Sequence, residues 1–316
     1  MNEKIKLGVS ACLLGQEVRF DGGHKRDRFI TDILSQYVEY VPVCPEVEYG
    51  LGIPRETLRL VGDPASPRLV TTKTHRDHTD GMSQYAHKRA LELKNENLCG
   101  FIFKSKSPSS GMERVKVYSD KGIPINKGVG IFAGVFMAHF PLIPVEEEGR
   151  LHDPKLRENF IECIFTLKRW REALVGKRPL KTLVDFHTRH KLLIMSHSPK
   201  HYRSMGKLVA AGKQYPLGEL FATYETLLME AMKLKTTIKK NINVQQHIMG
   251  YFKRQLSSDE KQEMLEIIGN YRDENVPLIV PITLLNHYVR KYGEPYLSRQ
   301  FYLNPHPIEL HLRNHA

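Results

Sequence analysis

LCGFIFKSKSPSSG, residues 98–111, decides how the first half of this chain folds. An unbroken apolar run from Leu98 to Phe103 gives way at once to lysines, serines, a proline and a glycine. A short run that is apolar throughout is what a strand buried on both faces requires. The Ser-Pro-Ser-Ser-Gly beyond it makes a tight polar turn: proline presets φ, glycine accepts conformations that other residues refuse, and serine bonds its own backbone. The same figure occurs twice before. Residues 5–10 run into Ala11-Cys12-Leu13-Leu14-Gly15, and residues 40–43 run into Cys44-Pro45-Glu46.

Between these strands, residues 27–37 and 81–97 have helical spacing, and 130–140 is apolar enough for a buried helix. Residues 142–145 read as a last strand. The alternation predicts an α/β domain with a mostly parallel, Rossmann-like sheet. Residues 55–80 and 111–128 carry no clear period and read as loops or small hairpins. Glu146-Glu147-Glu148-Gly149-Arg150 interrupts the pattern and reads as a hinge, dividing a domain of residues 1–148 from one of 149–316. In the second, Phe160, Ile164, Leu167 and Trp170 step along one face, as do Leu217, Leu220, Tyr224, Leu227 and Leu228. Ser257 followed by Ser258, Asp259 and Glu260 marks a helix start. The second domain is expected to be all α.

The chain has 316 residues and a formal charge of +12, unevenly shared. Residues 1–150 hold 21 Lys and Arg against 19 acids, whereas residues 151–316 hold 26 against 16. The excess in the second half points to a polyanionic partner there, against the plainer alternative of a solvated basic face. Four cysteines without a CxxC pair are no disulfide framework and suit a reducing compartment. The first 15 residues lack a secretory signal and no apolar run approaches the roughly 20 residues of a membrane span. The expectation is a cytoplasmic protein with no membrane association and no implied protein partner.

Open α/β sheets bind ligands beyond the carboxyl ends of their strands. Two of the three strand ends here carry cysteine, which suggests a soft metal or an iron–sulfur centre. Each cysteine alone is also explained as a small buried hydrophobe. Cys99, at the start of its strand, and Cys163, on an apolar helix face, are read as packing. Gly22-Gly23-His24-Lys25-Arg26 offers backbone N–H groups to an anion, or is an ordinary turn. Lys104 and Lys106 flank the third strand end and are candidate substrate contacts.

Val9 to Gly15 with Val18-Arg19-Phe20-Asp21-Gly22-Gly23, Cys44-Pro45-Glu46 with Gly50-Leu51-Gly52-Ile53-Pro54-Arg55, and Lys104 to Gly111 together resemble the motifs of the thiouracil desulfidase (TudS-like) family. The remainder is similar to the helical domain fused to this module in tRNA 4-thiouridine desulfidases (RudS-like proteins). The similarity runs through Glu146 to Leu151 and Asp185-Phe186-His187-Thr188-Arg189-His190-Lys191. The resemblance implies a [4Fe–4S] cluster held by three cysteines, one iron being left open for the substrate's sulfur. Two ligands fall on Cys12 and Cys44. The third falls on Ser110, where the family pattern has cysteine. A serine oxygen is a harder and more basic ligand than a thiolate, so weaker cluster binding is expected. The family's catalytic glutamate maps onto Glu46 and an active-site serine onto Ser107. The implied reaction converts 4-thiouridine in tRNA to uridine. Alternatives are desulfuration of free thiouracil bases, or a non-catalytic RNA-binding protein whose cluster site has decayed at Ser110.

Residues 177–213 contain nine Lys and Arg against one acid. Lys177, Arg178, Lys181, Arg189, Lys191, Lys200, Arg203 and Lys207 are the candidate nucleic-acid contacts, with His187, His190, His197 and His201 interleaved. His197 and His201 also stand at helical i, i+4 spacing. Without an accompanying carboxylate or thiol, RNA contact is preferred to metal binding.

Overall fold

The computed structural model describes residues 4–119 and 121–315. The chain forms two compact units, residues 1–153 and 154–316. The first runs β1 (Ile5–Ser10), β2 (Val38–Val43), α1 (Pro45–Glu48), β3 (Leu58–Val61), β4 (Arg68–Thr71), α2 (Thr79–Leu93), β5 (Gly100–Phe103), β6 (Val115–Tyr118), β7 (Pro124–Gly128), α3 (Ile131–His139) and β8 (Val145–Glu147).

β2, β1, β5 and β8 form one sheet in that order, and every neighbouring pair is parallel. Leu7, Val9, Phe101, Ile102 and Phe103 are buried, as the apolar runs require. Gly8 lets β1 and β5 pack together: a Cβ there would lie 2.1 Å from the Phe101 ring. The chain passes from β1 outward to β2 and later returns to the other side of β1 as β5. The strand order therefore reverses at β1, which is the switch point where open sheets form a crevice.

Two expectations change and a third is extended. Residues 146–150 are no hinge. Val145–Glu147 is the fourth parallel strand, beginning where the expected strand at 142–145 was to end, and Glu146 and Glu147 are buried in it. Their charges are met locally: Arg150 Nε donates to Glu146 at 2.5 Å and the Met112 N–H donates to Glu147 at 2.9 Å. Residues 55–80 and 111–128 each form a small antiparallel hairpin, one of the two expected forms. The hairpins join in parallel through β3 and β6 into a second sheet ordered β4, β3, β6, β7, which was not expected. Leu60, Leu69, Val115 and Val117 are its buried face. Residues 27–37 form a π-helical turn (Phe29–Ile33) and a 3₁₀ turn (Leu34–Gln36) instead of a regular helix.

The second unit is helical: α4 (Pro154–Ala173), α5 (Leu180–His197), α6 (Pro199–Ala210), α7 (Leu217–Lys233), α8 (Ile238–Met249), α9 (Ser258–Arg272) and α10 (Ile279–Lys291). Phe160, Ile164, Leu167 and Trp170 are buried on α4, and Leu220, Tyr224 and Leu228 on α7, while Leu217 is exposed. Ser257 caps α9 in a capping box with Glu260. Among the described residues no helix is long and apolar enough to cross a membrane.

Candidate functional site

The carboxyl ends of β1, β2 and β5 open into one cavity of about 340 Å³ at the switch point. Cys12 sits in a 3₁₀ turn, Ala11–Leu14, immediately after β1, closed by Gly15 at φ 89°. Cys44 directly precedes α1, and its N–H donates to Glu48 Oε1 at 2.8 Å. Ser110 lies in the turn after β5. That turn is braced from outside, since Gly130 N–H donates to Gly111 O at 2.8 Å and Phe132 N–H to Ser109 O at 2.9 Å. Gly130 comes so close that a Cβ would lie 2.6 Å from the Ser109 carbonyl. Cys12, Cys44 and Ser110 all line the cavity, and so do Glu46 and Ser107. The three separate loops converge.

Glu46 is held on both oxygens. Oε2 accepts from Arg55 Nη2 at 2.6 Å and Nε at 2.9 Å, while Oε1 accepts from the Ser109 hydroxyl at 2.8 Å. Ser107 Oγ lies 3.0 Å from Ser109 Oγ and accepts the Ser110 N–H at 3.1 Å. Ser107, Ser109, Glu46 and Arg55 thus form a continuous hydrogen-bonded path along the cavity wall. Arg55 also donates to Val18 O at 2.9 Å, so it fixes the loop after Cys12 as well. Sequence reasoning assigned no role to Ser109 or Arg55. Both stand inside the quoted motifs, but nine residues separate Arg55 from Glu46, and only the fold shows that they meet.

Burial pushes the Cys12 thiol up to about 11, with the Cys44 sulfur adding to the rise and the Lys104 ammonium opposing it. Burial raises Cys44 as well. Both are therefore neutral thiols at neutral pH until something that prefers thiolate binds them. The rise keeps the proton on Cys12 at every pH below about 11, so its reactivity must grow with pH. Alkylation of Cys12 by iodoacetamide in the metal-free protein, read by peptide mass spectrometry, is expected to accelerate about tenfold per pH unit between roughly pH 7 and pH 10. A rate that levels off near pH 8.5, about the pKa of a free cysteine, would place the thiol in an ordinary environment.

The family model described as 2-thiouracil desulfurase matches residues 7–148. The uncharacterized protein YbbK of Bacillus subtilis (strain 168) is 31% identical over 108 residues, which are 33% of this chain and 71% of that protein. The chain belongs to the 2-thiouracil desulfurase family. A second model, a protein of unknown function termed DUF1722, matches residues 191–307. The uncharacterized protein YbgA of Escherichia coli (strain K12) is 31% identical over 133 residues, 42% of this chain and 79% of that protein. Among solved structures, a [4Fe-4S]-dependent thiouracil desulfidase, TudS, is 29% identical. The match covers 48% of this chain and 95% of that one, with a TM-score of 0.40.

The donor chemistry of the desulfurase unit can be tested against an iron–sulfur centre. Two of the three facing side chains are thiols, the soft donors that iron–sulfur clusters take. Among the described residues, neither the Cys12 thiol nor the Ser110 hydroxyl is engaged in a hydrogen bond, and both belong to the cavity wall. Cys44 Sγ lies 3.7 Å from Val18 O, and the backbone N–H groups of Val47 and Glu46 also reach it and favour its thiolate, against the larger effect of burial. The set fits a cluster at two corners and offers a hard oxygen at the third.

Other candidates resolve differently. Lys104 lines the cavity, but its ammonium is committed to Glu148 and to Ser105 O at 3.0 Å, so it is a strut between β5 and the end of β8. Lys106 lines the cavity as well. The 22–26 turn is no anion cradle. The N–H groups of Gly22, Gly23, Lys25 and Arg26 already donate to Arg19 O, Asp21, Cys12 O and His24 respectively. Cys99 and Cys163 are buried, and neither lines the cavity.

In the second unit, Lys177, Arg178, Lys181, Lys200, Arg203 and Lys207 are exposed. Arg189 is half-buried, pairing with Asp185 at 3.8 Å and lying 4.9 Å from the Phe301 ring. Lys191 lies 4.6 Å from the Tyr296 ring. The histidines of α5 are structural, contrary to expectation. His187 is buried 3.1 Å from the Tyr224 hydroxyl, and His190 is buried between Phe186 O and Arg169. His197 is fully buried, with Nε2 2.9 Å from Glu162 and Nδ1 2.7 Å from Leu234 O. It ends α5, whereas His201 lies on α6, so the two share no helix face. Glu162 also receives Arg313 at 2.8 Å, which makes this a buried ion network of the core.

Proposed function

We propose that this chain removes sulfur from 4-thiouridine in tRNA, yielding uridine and sulfide, with a [4Fe–4S] cluster held by Cys12, Cys44 and Ser110. The observation that carries the reading is the convergence of those three side chains with Glu46 and Ser107 on one cavity. The bound cluster would supply a thiophilic Lewis acid that draws on the thiocarbonyl sulfur.

The remaining work falls to the chain's own residues. Water adds to C4 and its oxygen replaces sulfur, so two protons must be moved from water to the departing sulfide. Glu46 lines the cavity and offers Oε1 as the base, and Ser109 Oγ hands the proton path on to Ser107. Arg55 keeps Glu46 aimed through two hydrogen bonds on Oε2 and leaves Oε1 free to take part. Charge-assisted pairs of this type hold orientation well because both partners are nearly shielded from water. The exposed candidates Lys177, Arg178, Lys181, Lys200, Arg203 and Lys207 of the second unit suit a folded polyanion, which a free base is not.

Anaerobically reconstituted protein given thiolated tRNA or free 4-thiouracil, each followed by near-ultraviolet absorbance, tests the reading. The tRNA is expected to be desulfurated with a kcat/KM at least about tenfold above that of the free base. Preference for the free base would overturn the assignment of substrate. A second reading, RNA binding without catalysis, is favoured by Ser110 alone and predicts bound tRNA that keeps its sulfur.

A further inference from the structure

The outer face of the second sheet carries a feature to which the proposed reaction assigns no role. Along β6, Val115 and Val117 face the core, so Lys116 and Tyr118 face outward by the period of two. On β3, Leu60 is buried and Arg59 lies on the opposite face. An open groove of about 690 Å³ runs over that face, lined among others by Arg59, Lys106, Arg114, Lys116, Tyr118 and Asn126. Four cations line it and, among the described residues, no carboxylate does. Among the described residues, the acids next in sequence to the lining residues are committed elsewhere. Glu56 accepts the Thr74 N–H at 2.9 Å, and Glu113 pairs with Arg150 at 2.6 Å, its approach to Arg114 being the longer at 3.8 Å. Thr57, Leu58, Lys106 and Pro108 line this groove and the cysteine cavity alike, so one opens into the other.

We infer that this groove is a track for single-stranded RNA, which lays the nucleotides beside the target base across the sheet while that base enters the cavity. The inference deepens the proposed function and rests on it for the identity of the base delivered. Arg59 and Lys116 stand on neighbouring strands, about 4.8 Å apart, and Arg114 and Lys106 extend the row along the adjoining loops. Such a row matches the backbone of about two or three nucleotides. Tyr118 supplies a ring on which a neighbouring base can stack, and Arg59, 5.6 Å from that ring, adds a guanidinium plane. A free base would need none of these groups. The groove thus gives the first unit its own means of preferring a polynucleotide.

The test is binding of a fluorescein-labelled, unthiolated single-stranded RNA of about twelve nucleotides, within the span of single-strand sites, to the full chain, followed by anisotropy across a salt series. Lys116→Glu combined with Arg114→Asn removes two exposed cations, and Asn tolerates the positive φ of 53° at residue 114. Lys88→Glu combined with Lys94→Asn, both exposed on and beyond α2, makes the same change in net charge away from the groove. The groove variant is expected to bind about tenfold more weakly, and the slope of log K against log salt to fall by about 1.4. The α2 variant is expected to stay within about twofold of the unaltered chain. Equal losses in the two variants, no loss in either, or no RNA binding by the unaltered chain would overturn the inference. Binding of unthiolated RNA needs no cluster and no turnover. If thiolated tRNA is not desulfurated while binding depends on the groove, the catalytic reading fails and the track stands. Desulfuration with groove-independent binding keeps the catalytic reading and removes the track.

Discussion

Glu46→Gln is expected to lower turnover by on the order of 10²–10⁴-fold while leaving iron and sulfide content unchanged. Gln keeps the volume of Glu and can still accept from Arg55, so the wall of the cavity persists. What is lost is a site that takes up a proton. The two carboxylate oxygens are not equivalent: Oε2 is saturated by the Arg55 fork, and Oε1 has only the Ser109 hydroxyl at 2.8 Å. The lone pair left on Oε1 is therefore the basic position, and an amide cannot supply it. Arg55, whose side chain is only 7% exposed, loses its counter-charge in this variant, so some loss of stability accompanies the loss of rate. Thermal melting separates the two effects. A variant that melts only a few degrees lower yet is inactive places Glu46 in the proton path. If iron is lost in proportion to activity, Glu46 instead supports the cluster, and its role in catalysis is refuted.

How far the sequence reaches is visible in the same residues. β5 was legible because a strand buried on both faces must be apolar throughout, and β1 as a short β-like run despite Lys6 and Ser10. Their ends were legible because cysteine, proline and glycine mark the turns. The second sheet was not. Its strands are only four or five residues long, and β7, Pro-Ile-Asn-Lys-Gly, is exposed along most of its length, so periodicity had nothing to register. The acidic run at residues 146–148 misled for a different reason. Charged residues are rarely buried unless paired, and the partners of Glu146 and Glu147 are Arg150 and a backbone N–H thirty-five residues away. The histidines of α5 misled in the same way: each meets a partner on another helix that spacing does not reveal. Cys12, Cys44 and Ser110 came together because strand ends of a parallel sheet share an edge. Arg55 escaped because it arrives from a loop.

Ser110→Cys is expected to tighten cluster binding by on the order of 10–100-fold, and so to raise cluster content after anaerobic reconstitution and turnover with it. A ligand must shed its proton before it binds iron. A free thiol does so near a pKa of about 8.5, whereas an alcohol holds its proton far more tightly, about as tightly as water. Metal coordination narrows that gap, yet the oxygen remains the harder donor against a soft sulfide-bridged iron. The site has room for the exchange. Sulfur is larger than oxygen, but Ser110 lines the cavity and its hydroxyl is engaged by no hydrogen bond among the described residues, so a thiol there displaces no partner. The backbone that places it stays fixed, held by the Ser110 N–H to Ser107 and by the α3 start behind Ser109. Iron and sulfide analysis beside visible absorption measures the cluster. Adding Cys12→Ser to the Ser110→Cys protein should reverse the gain, because two thiols and one hydroxyl would again face the cavity. Equal cluster content in the unaltered and Ser110→Cys proteins would mean that the third corner is filled by another residue, and the assignment of this turn would have to be abandoned.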